Sequence, residues 1–161
     1  MKDIQVAIMM GSKSDLPVME KTAKILKDFK VSYEMKVLSA HRTPKETAEY
    51  AEGLRAKGVR VVICGAGASA ALSGVVAAHT TLPVIGVPID ATALNGMDAL
   101  LSTVQMPPGV PVGAVAIGEP GAMNAALLAL RILSLNDEAI EQGLEKFKKE
   151  QKEKILGIQL N

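Results

Sequence analysis

The chain has 161 residues, 48% of them hydrophobic and 22% charged, and its 18 basic and 17 acidic side chains leave a net charge of +1. This length fits one domain, 1–161, because two independent hydrophobic cores would be cramped. The balanced charge is atypical of proteins that bind nucleic acids. No uncharged apolar run reaches the ~18 residues of a membrane span. We therefore expect a soluble, cytoplasmic protein that binds neither nucleic acid nor a membrane.

Short apolar runs alternate with helical patterns along the chain. Strands are predicted over residues 4–10, 32–38, 59–64, 83–87 and 112–117. Helices are predicted over residues 16–29, 44–57, 69–78, 95–104, 121–135 and, as a charged amphipathic C-terminal helix, 137–156. This alternation predicts a doubly wound α/β sandwich with a parallel five-stranded sheet.

Ligand sites of such sheets lie beyond the carboxyl ends of the strands. The first three predicted strands are followed by the segments GSKSD (11–15), SAHRTP (39–44) and GAGAS (65–69). Polar residues cluster in the first two segments and glycines in the third. We therefore expect the functional site at this edge, although capping of a helix and a tight turn would also explain the first and third segments.

His41 and Arg42 are the strongest candidates for chemistry. Histidine is the usual general acid or base near neutral pH, and arginine can bind a phosphate with two parallel hydrogen bonds. The other histidine, His79, follows a predicted helix end at the opposite edge of the sheet, and we interpret it as structural. Thr43 is predicted to cap the helix that begins at Pro44.

The predicted helices 69–78 and 121–135 carry more apolar surface than a monomer usually exposes. A homo-oligomer that buries them is the simplest interpretation. In the alternative, the C-terminal helix folds back and covers one of them.

Cysteine and aromatic residues are scarce. The single Cys64 cannot form an internal disulfide and has no partner for a cysteine-based metal site. Two Phe, two Tyr and no Trp offer little stacking surface for a flavin. We therefore expect neither a metal site nor a flavin.

Several motifs together resemble the PurE family of purine biosynthesis. They are the GSKSD, SAHRTP and GAG segments after the first three strands, LPVIGVP at 82–88, VQMPPGVPVG at 104–113, and AIG with NAALLA between 116 and 129. The resemblance covers nearly the whole chain. It implies a flavodoxin-like three-layer sandwich with an extra C-terminal helix, assembled as an octamer.

The resemblance also implies an activity. Family members of the mutase branch move a carboxylate of 5-(carboxyamino)imidazole ribonucleotide from the exocyclic nitrogen to a ring carbon, without metal or cofactor. By match to the motifs, His41 would transfer the protons, and Asp15 would bind the ribose hydroxyls. The remaining substrate-binding residues would be Ser12, Ser39 and Arg42, on the phosphate side, and Leu72.

One segment departs from the mutase pattern. Where that branch usually has a histidine and a proline, this chain has Ala71 and Ser73. Its run ALSG at 71–74 resembles the sister branch, which carboxylates aminoimidazole ribonucleotide with free carbon dioxide. The SAHRTP and VQMPPGVPVG segments favour the mutase, while the carboxylase and a ribonucleotide-binding paralogue without catalysis stay as alternatives.

Overall fold

A computed structural model describes residues 4–160. Its sheet has five parallel strands in the order β2-β1-β3-β4-β5, which confirms the predicted α/β class. The strands are β1 (Val6–Met10), β2 (Tyr33–Val37), β3 (Val61–Gly67), β4 (Val84–Ile89) and β5 (Gly113–Ala114). The register pairs Met10 of β1 with Val37 of β2 and Gly65 of β3, so that the carboxyl ends of these strands lie side by side.

Within residues 4–160 there are six α-helices, five beside the sheet and the last packed on α5. They are α1 (Leu16–Asp28), α2 (Pro44–Gly53), α3 (Leu72–His79), α4 (Met97–Val104), α5 (Glu119–Ser134) and α6 (Glu138–Leu156). Short 3-10 turns at Lys13–Asp15 and Arg55–Lys57 precede α1 and follow α2. The result is a three-layer sandwich of the flavodoxin-like kind, with α6 as the extra C-terminal helix.

Two apolar cores lie on opposite faces of the sheet. One joins alternate strand residues to α1 and α5, with Met19, Leu26 and Leu130 fully buried. The other joins the remaining strand residues to α2 and α3, with Leu54 and Leu72 buried. Strands that are buried on both faces explain the continuous apolar runs of the sequence.

Three elements differ from the prediction by several residues, and each is shorter. α3 begins at Leu72 rather than at 69, because Ala68 has a left-handed backbone (φ 53°) and the chain turns before the helix can start. β5 has two residues rather than six, because it pairs only with Ile85 and Gly86 of β4. The predicted second helix likewise ends at Gly53, and Gly58, with φ 86°, ends the 3-10 turn that follows.

The two apolar helices, α3 and α5, bury more of their surface within one chain than the sequence led us to expect. α6 packs along α5, as the alternative interpretation expected, although Met123 and Leu128 of α5 stay exposed. Exposed apolar side chains gather instead on and before α4, at Leu94, Met97, Leu101 and Val104, and at the end of α6. No helix within residues 4–160 is long and apolar enough to cross a membrane.

Candidate functional site

The loops that follow β1, β2 and β3 border a half-open cavity of about 440 Å³ at the carboxyl edge of the sheet. Two hydrogen bonds hold the loop starts together, from Gly11 N–H to the Gly65 carbonyl and from Leu38 N–H to the Met10 carbonyl. All six predicted site residues line this cavity: Ser12, Asp15, Ser39, His41, Arg42 and Leu72. The parallel topology thus brings together residues that lie up to 60 positions apart.

The first loop is fixed by a capping box between Ser12 and Asp15. The Ser12 N–H donates to Asp15 Oδ2 at 3.0 Å, and Ser12 Oγ accepts the Ser14 N–H at 3.3 Å. The expected alternative was capping of the helix by Ser14 or Asp15, but the capping residue is Ser12 and it caps the 3-10 turn, whereas Asp15 makes no side-chain bond to the N-terminus of α1. The Ser12–Asp15 pair holds the loop. It does not exclude ligand binding, because Asp15 Oδ1 takes no part in it and Asp15 still lines the cavity.

The environment of the Asp15 carboxyl group disfavours its ionised form. Its side chain is only 5% exposed, and this burial raises its pKa above the usual range. The Ser12 N–H and the Arg42 guanidinium favour the ionised form and offset part of the effect. A buried carboxylate with spare acceptor capacity is suited to the hydroxyls of a ligand.

Arg42 links the second loop to the first. Its Nη2 donates to the Gly11 carbonyl oxygen at 2.8 Å, and its Nε donates to Ser39 Oγ at 3.4 Å. Ser39 Oγ also accepts the Arg42 backbone N–H at 3.2 Å. These bonds leave Nη1 of the guanidinium available to an anion, beside two serine hydroxyls and the amides of the first loop.

His41 lies between Ser39 and Arg42 on the same loop, and its side chain is exposed at the cavity wall. Its imidazole has no hydrogen-bond partner in the part of the chain that the structure describes. Both ring nitrogens are therefore open to a ligand. A histidine so placed can give a proton to a bound molecule or take one from it.

The third loop supplies a wall of small apolar residues. β3 ends at Gly67, where a Cβ would lie 2.6 Å from the Cβ of Ala91, so only glycine lets the loop after β4 come this close. Ala91 was not among the predicted site residues, although its place just after the fourth strand, at the same edge of the sheet, is a signal that could have found it. The alanines that line the cavity are Ala40, Ala66, Ala68, Ala70, Ala71 and Ala91.

Several other candidates lie outside the cavity. His79 is at the far end of α3, where its Nδ1 is 3.0 Å from Glu52 Oε1, and its structural role stays a prediction. Cys64 is fully buried, and this burial raises the pKa of its thiol. No group of three or more His, Cys, Asp or Glu side chains within residues 4–160 is arranged to hold a metal ion.

Comparison with known proteins assigns the family. Residues 5–154 match the family model described as AIR carboxylase. The chain belongs to the AIR carboxylase family, PurE. The sequence motifs had indicated this family, and the match extends over every helix and strand up to the last turn of α6.

Curated PurE relatives share about half of their residues with this chain. A protein of Pyrococcus abyssi is 57% identical over 148 residues, covering 92% of this chain and 84% of its own, and is named N5-carboxyaminoimidazole ribonucleotide mutase. A Vibrio parahaemolyticus protein with the same name is 54% identical over 95% of both chains. Treponema denticola PurE has the same fold, with a TM-score of 0.85 at 33% identity over 94% of both chains.

The two departures from the PurE mutase pattern occupy different places. Ala71 lines the cavity, so the histidine expected there would face the ligand space. Ser73 is buried, and its Oγ lies close to Gly86 of β4 rather than in the cavity wall. Leu72, between them, is 2% exposed and belongs to the apolar core as well as to the wall.

Proposed function

We propose that this protein is an N5-carboxyaminoimidazole ribonucleotide mutase. The observation that carries the proposal is the cavity itself, where six residues chosen by motif line one space at the carboxyl edge of the sheet. The names of relatives that are 49–57% identical support the same activity. The substrate is a small imidazole ribonucleotide, and the reaction belongs to purine biosynthesis.

The proposed reaction moves one carboxylate within the substrate. The bond between the exocyclic nitrogen and the carboxyl carbon breaks, releasing carbon dioxide, while the His41 imidazolium gives the nitrogen a proton. The ring carbon then attacks the carbon dioxide, and the new carbon–carbon bond forms. Neutral His41 removes the proton from that ring carbon, so one residue returns to its starting state without a net proton change.

The polar residues divide into two groups around His41. We assign Arg42, Ser39 and Ser12 to the phosphate, because a guanidinium, two hydroxyls and loop amides converge there. We assign Asp15 to the ribose, because a carboxylate with a free oxygen accepts two hydroxyl hydrogens well. Leu72 would pack against the substrate from the apolar wall.

Released carbon dioxide must recombine before it escapes. Small apolar side chains bind water poorly, and the alanines that line the cavity therefore suit a trapped, uncharged molecule. The scheme needs no redox cofactor, because the rearrangement involves no net oxidation or reduction. The electron pair of the broken nitrogen–carbon bond takes up the proton from His41, and the ring electrons that form the new carbon–carbon bond are restored when His41 removes the proton of the ring carbon.

One observation favours a second candidate. Ala71 lines the cavity where the mutase pattern has a histidine, and this matches the branch that uses free carbon dioxide. We rank this carboxylase second, because the loop with His41 and the segment at 104–113 both follow the mutase pattern. Ribonucleotide binding without catalysis is the third possibility, and turnover by the purified protein would exclude it.

We further propose a cytoplasmic homo-oligomer, an octamer by resemblance. The exposed apolar side chains on and before α4, Leu94, Met97, Leu101 and Val104, give an apolar stripe that a second copy can cover. Light scattering should then give a mass several times 16.9 kDa, and a mass of one chain at micromolar concentration would contradict the proposal.

The decisive experiment supplies each substrate separately. Purified protein receives either the carboxyamino ribonucleotide or aminoimidazole ribonucleotide with a controlled level of dissolved carbon dioxide, and formation of the carbon-carboxylated product is followed. A mutase converts the first efficiently and the second poorly. Comparable efficiency on both would assign the protein to the carboxylase branch, and no turnover of either would leave only binding.

Substitution of Ala71, the cavity residue that differs from the mutase pattern, adds a second comparison to this experiment. Ala71→His restores the mutase pattern inside the cavity, whereas Ala78→His places the same side chain on an exposed part of α3 as a control. For a mutase, neither variant should improve the use of free carbon dioxide. A wild-type preference for free carbon dioxide that Ala71→His removes would support the second candidate instead.

A further inference from the structure

Thr43 occupies the N-cap position of α2 but does not cap the helix. Its side chain makes no hydrogen bond to a helix N–H. Instead, Thr43 Oγ1 accepts the Ser39 N–H at 2.9 Å and donates to the Ser39 carbonyl at 3.1 Å. The hydroxyl therefore stabilises the preceding turn rather than the helix.

This pair of bonds closes the turn 39–43, which has His41 at its midpoint. The Thr43 N–H also donates to the Ser39 carbonyl at 2.9 Å. Buried Thr47, one helical turn later, donates its hydroxyl to the Thr43 carbonyl at 2.7 Å and contacts the Ser39 carbonyl at 3.3 Å. The turn is thus fastened at both ends to the start of α2.

The two cavity residues inside the turn differ in how they are held. Arg42 has side-chain bonds to Gly11 and Ser39, so its guanidinium has anchors of its own. The His41 imidazole has no hydrogen-bond partner between residues 4 and 160. Its position therefore depends on the backbone of the turn, which the Thr43 hydroxyl closes.

We infer that Thr43 is a positioning residue for His41: its hydroxyl holds the turn so that the imidazole reaches the reacting atoms. The inference rests on the proposed function in assigning proton transfer to His41. Misplacement of a catalytic group by about 1 Å can cost about 100-fold in rate. Loss of the hydroxyl should therefore lower kcat more than it changes KM, because Arg42 and Asp15 keep their own contacts.

The test compares three changes of threonine. Thr43→Val keeps the side-chain shape and removes the hydroxyl, Thr43→Ser keeps the hydroxyl, and Thr22→Val removes a buried threonine hydroxyl bonded to the Ala122 carbonyl, away from the cavity. We expect Thr43→Val to lower kcat about tenfold or more with KM changed less than about threefold. Thr43→Ser and Thr22→Val should keep kcat within about twofold of wild type.

A second measurement reports on His41 without turnover. The chain has two histidines, so ¹³C-histidine NMR gives two imidazole signals, and His79 serves as an internal reference. Thr43→Val should shift or broaden the His41 signal and leave that of His79 unchanged. If the valine variant fails to fold, Thr43→Ala removes the same hydroxyl without the branched side chain and replaces it in both measurements.

The outcomes separate the two proposals. Wild-type kcat in Thr43→Val with an unchanged His41 signal would overturn the inference, as would an equal loss of kcat in Thr43→Ser. Absence of turnover in the wild-type protein would overturn the proposed function instead. In that case the NMR comparison alone still decides whether the Thr43 hydroxyl positions His41.

Discussion

Arg42 and Gly11 are joined by a hydrogen bond of 2.8 Å from the guanidinium Nη2 to the carbonyl oxygen. They lie 31 residues apart, in the loops that follow the two neighbouring strands β2 and β1. The bond orients the guanidinium before any ligand arrives, which lowers the conformational cost of binding an anion. Arg42 therefore both stabilises the edge of the cavity and supplies its positive charge.

Removing this charge should weaken substrate binding. We expect Arg42→Ala to raise KM by about 10- to 100-fold, since a charge-assisted contact to phosphate contributes ~1.5–3 kcal/mol. The matched control is Arg55→Ala, whose guanidinium donates to Thr81 Oγ1 outside the cavity. Steady-state kinetics with the carboxyamino ribonucleotide measures both, and equal increases of KM would refute the assignment of Arg42.

His41 should affect the rate rather than binding. We expect His41→Asn to lower turnover by about 10²- to 10⁴-fold, the usual contribution of a general acid or base. Substrate affinity should change by less than about tenfold, or ~1.4 kcal/mol. His79→Asn is the control, because His79 lies outside the cavity, where its Nδ1 is 3.0 Å from Glu52 Oε1. Wild-type rates in His41→Asn would exclude its role in proton transfer.

Asp15 should make stability depend on pH in an unusual direction. Its pKa is raised in the folded protein, chiefly by burial, so the folded state binds a proton more tightly than the unfolded state. The associated stability is fully present below the unfolded pKa, near 4, and is lost as the pH rises through the folded pKa. Ionised Asp15 is therefore a cost to folding at neutral pH.

Asp15→Asn removes this ionisation while its amide oxygen can still accept the Ser12 N–H. Urea unfolding should show the variant gaining stability relative to wild type between pH 4 and pH 7. Substrate binding at neutral pH should weaken by about tenfold or more, because a neutral amide replaces a carboxylate acceptor. A stability difference that stays constant over this pH range would contradict the raised pKa.

Two glycines should respond to alanine in opposite directions. At Gly121, near the start of α5, a Cβ would collide with the Ala116 carbonyl, and backbone atoms on both sides would have to move. At Gly53, the last residue of α2, a Cβ meets nothing within 4 Å. Gly53→Ala should stabilise by about 0.5–1 kcal/mol in urea unfolding. Gly121→Ala should destabilise by several times as much, and similar values for both would contradict the packing at Gly121.

The sequence predicted the parallel sheet and the grouping of Ser12, Asp15, Ser39, His41 and Arg42, because hydrophobic periodicity and strand ends are local properties. It could not predict the start of α3, since the left-handed backbone of Ala68 is unusual for a residue with a Cβ. The short β5 and the approach of Ala91 to Gly67 depend on contacts between distant segments. The sequence likewise could not show that the Thr43 hydroxyl bonds to the N–H and the carbonyl of Ser39 instead of capping α2.

The strand order determines which parts of the chain must fold before the cavity is complete. The cavity draws on the ends of β2, β1 and β3, which are neighbours in the sheet although β3 follows β2 by more than 20 residues. A nascent chain that has formed only β1, α1 and β2 has the His41 loop but no third wall. Ligand affinity therefore requires that β3 has paired with the free edge of β1 and that Gly67 has met the segment after β4. A refolding experiment should detect helix formation before it detects substrate binding.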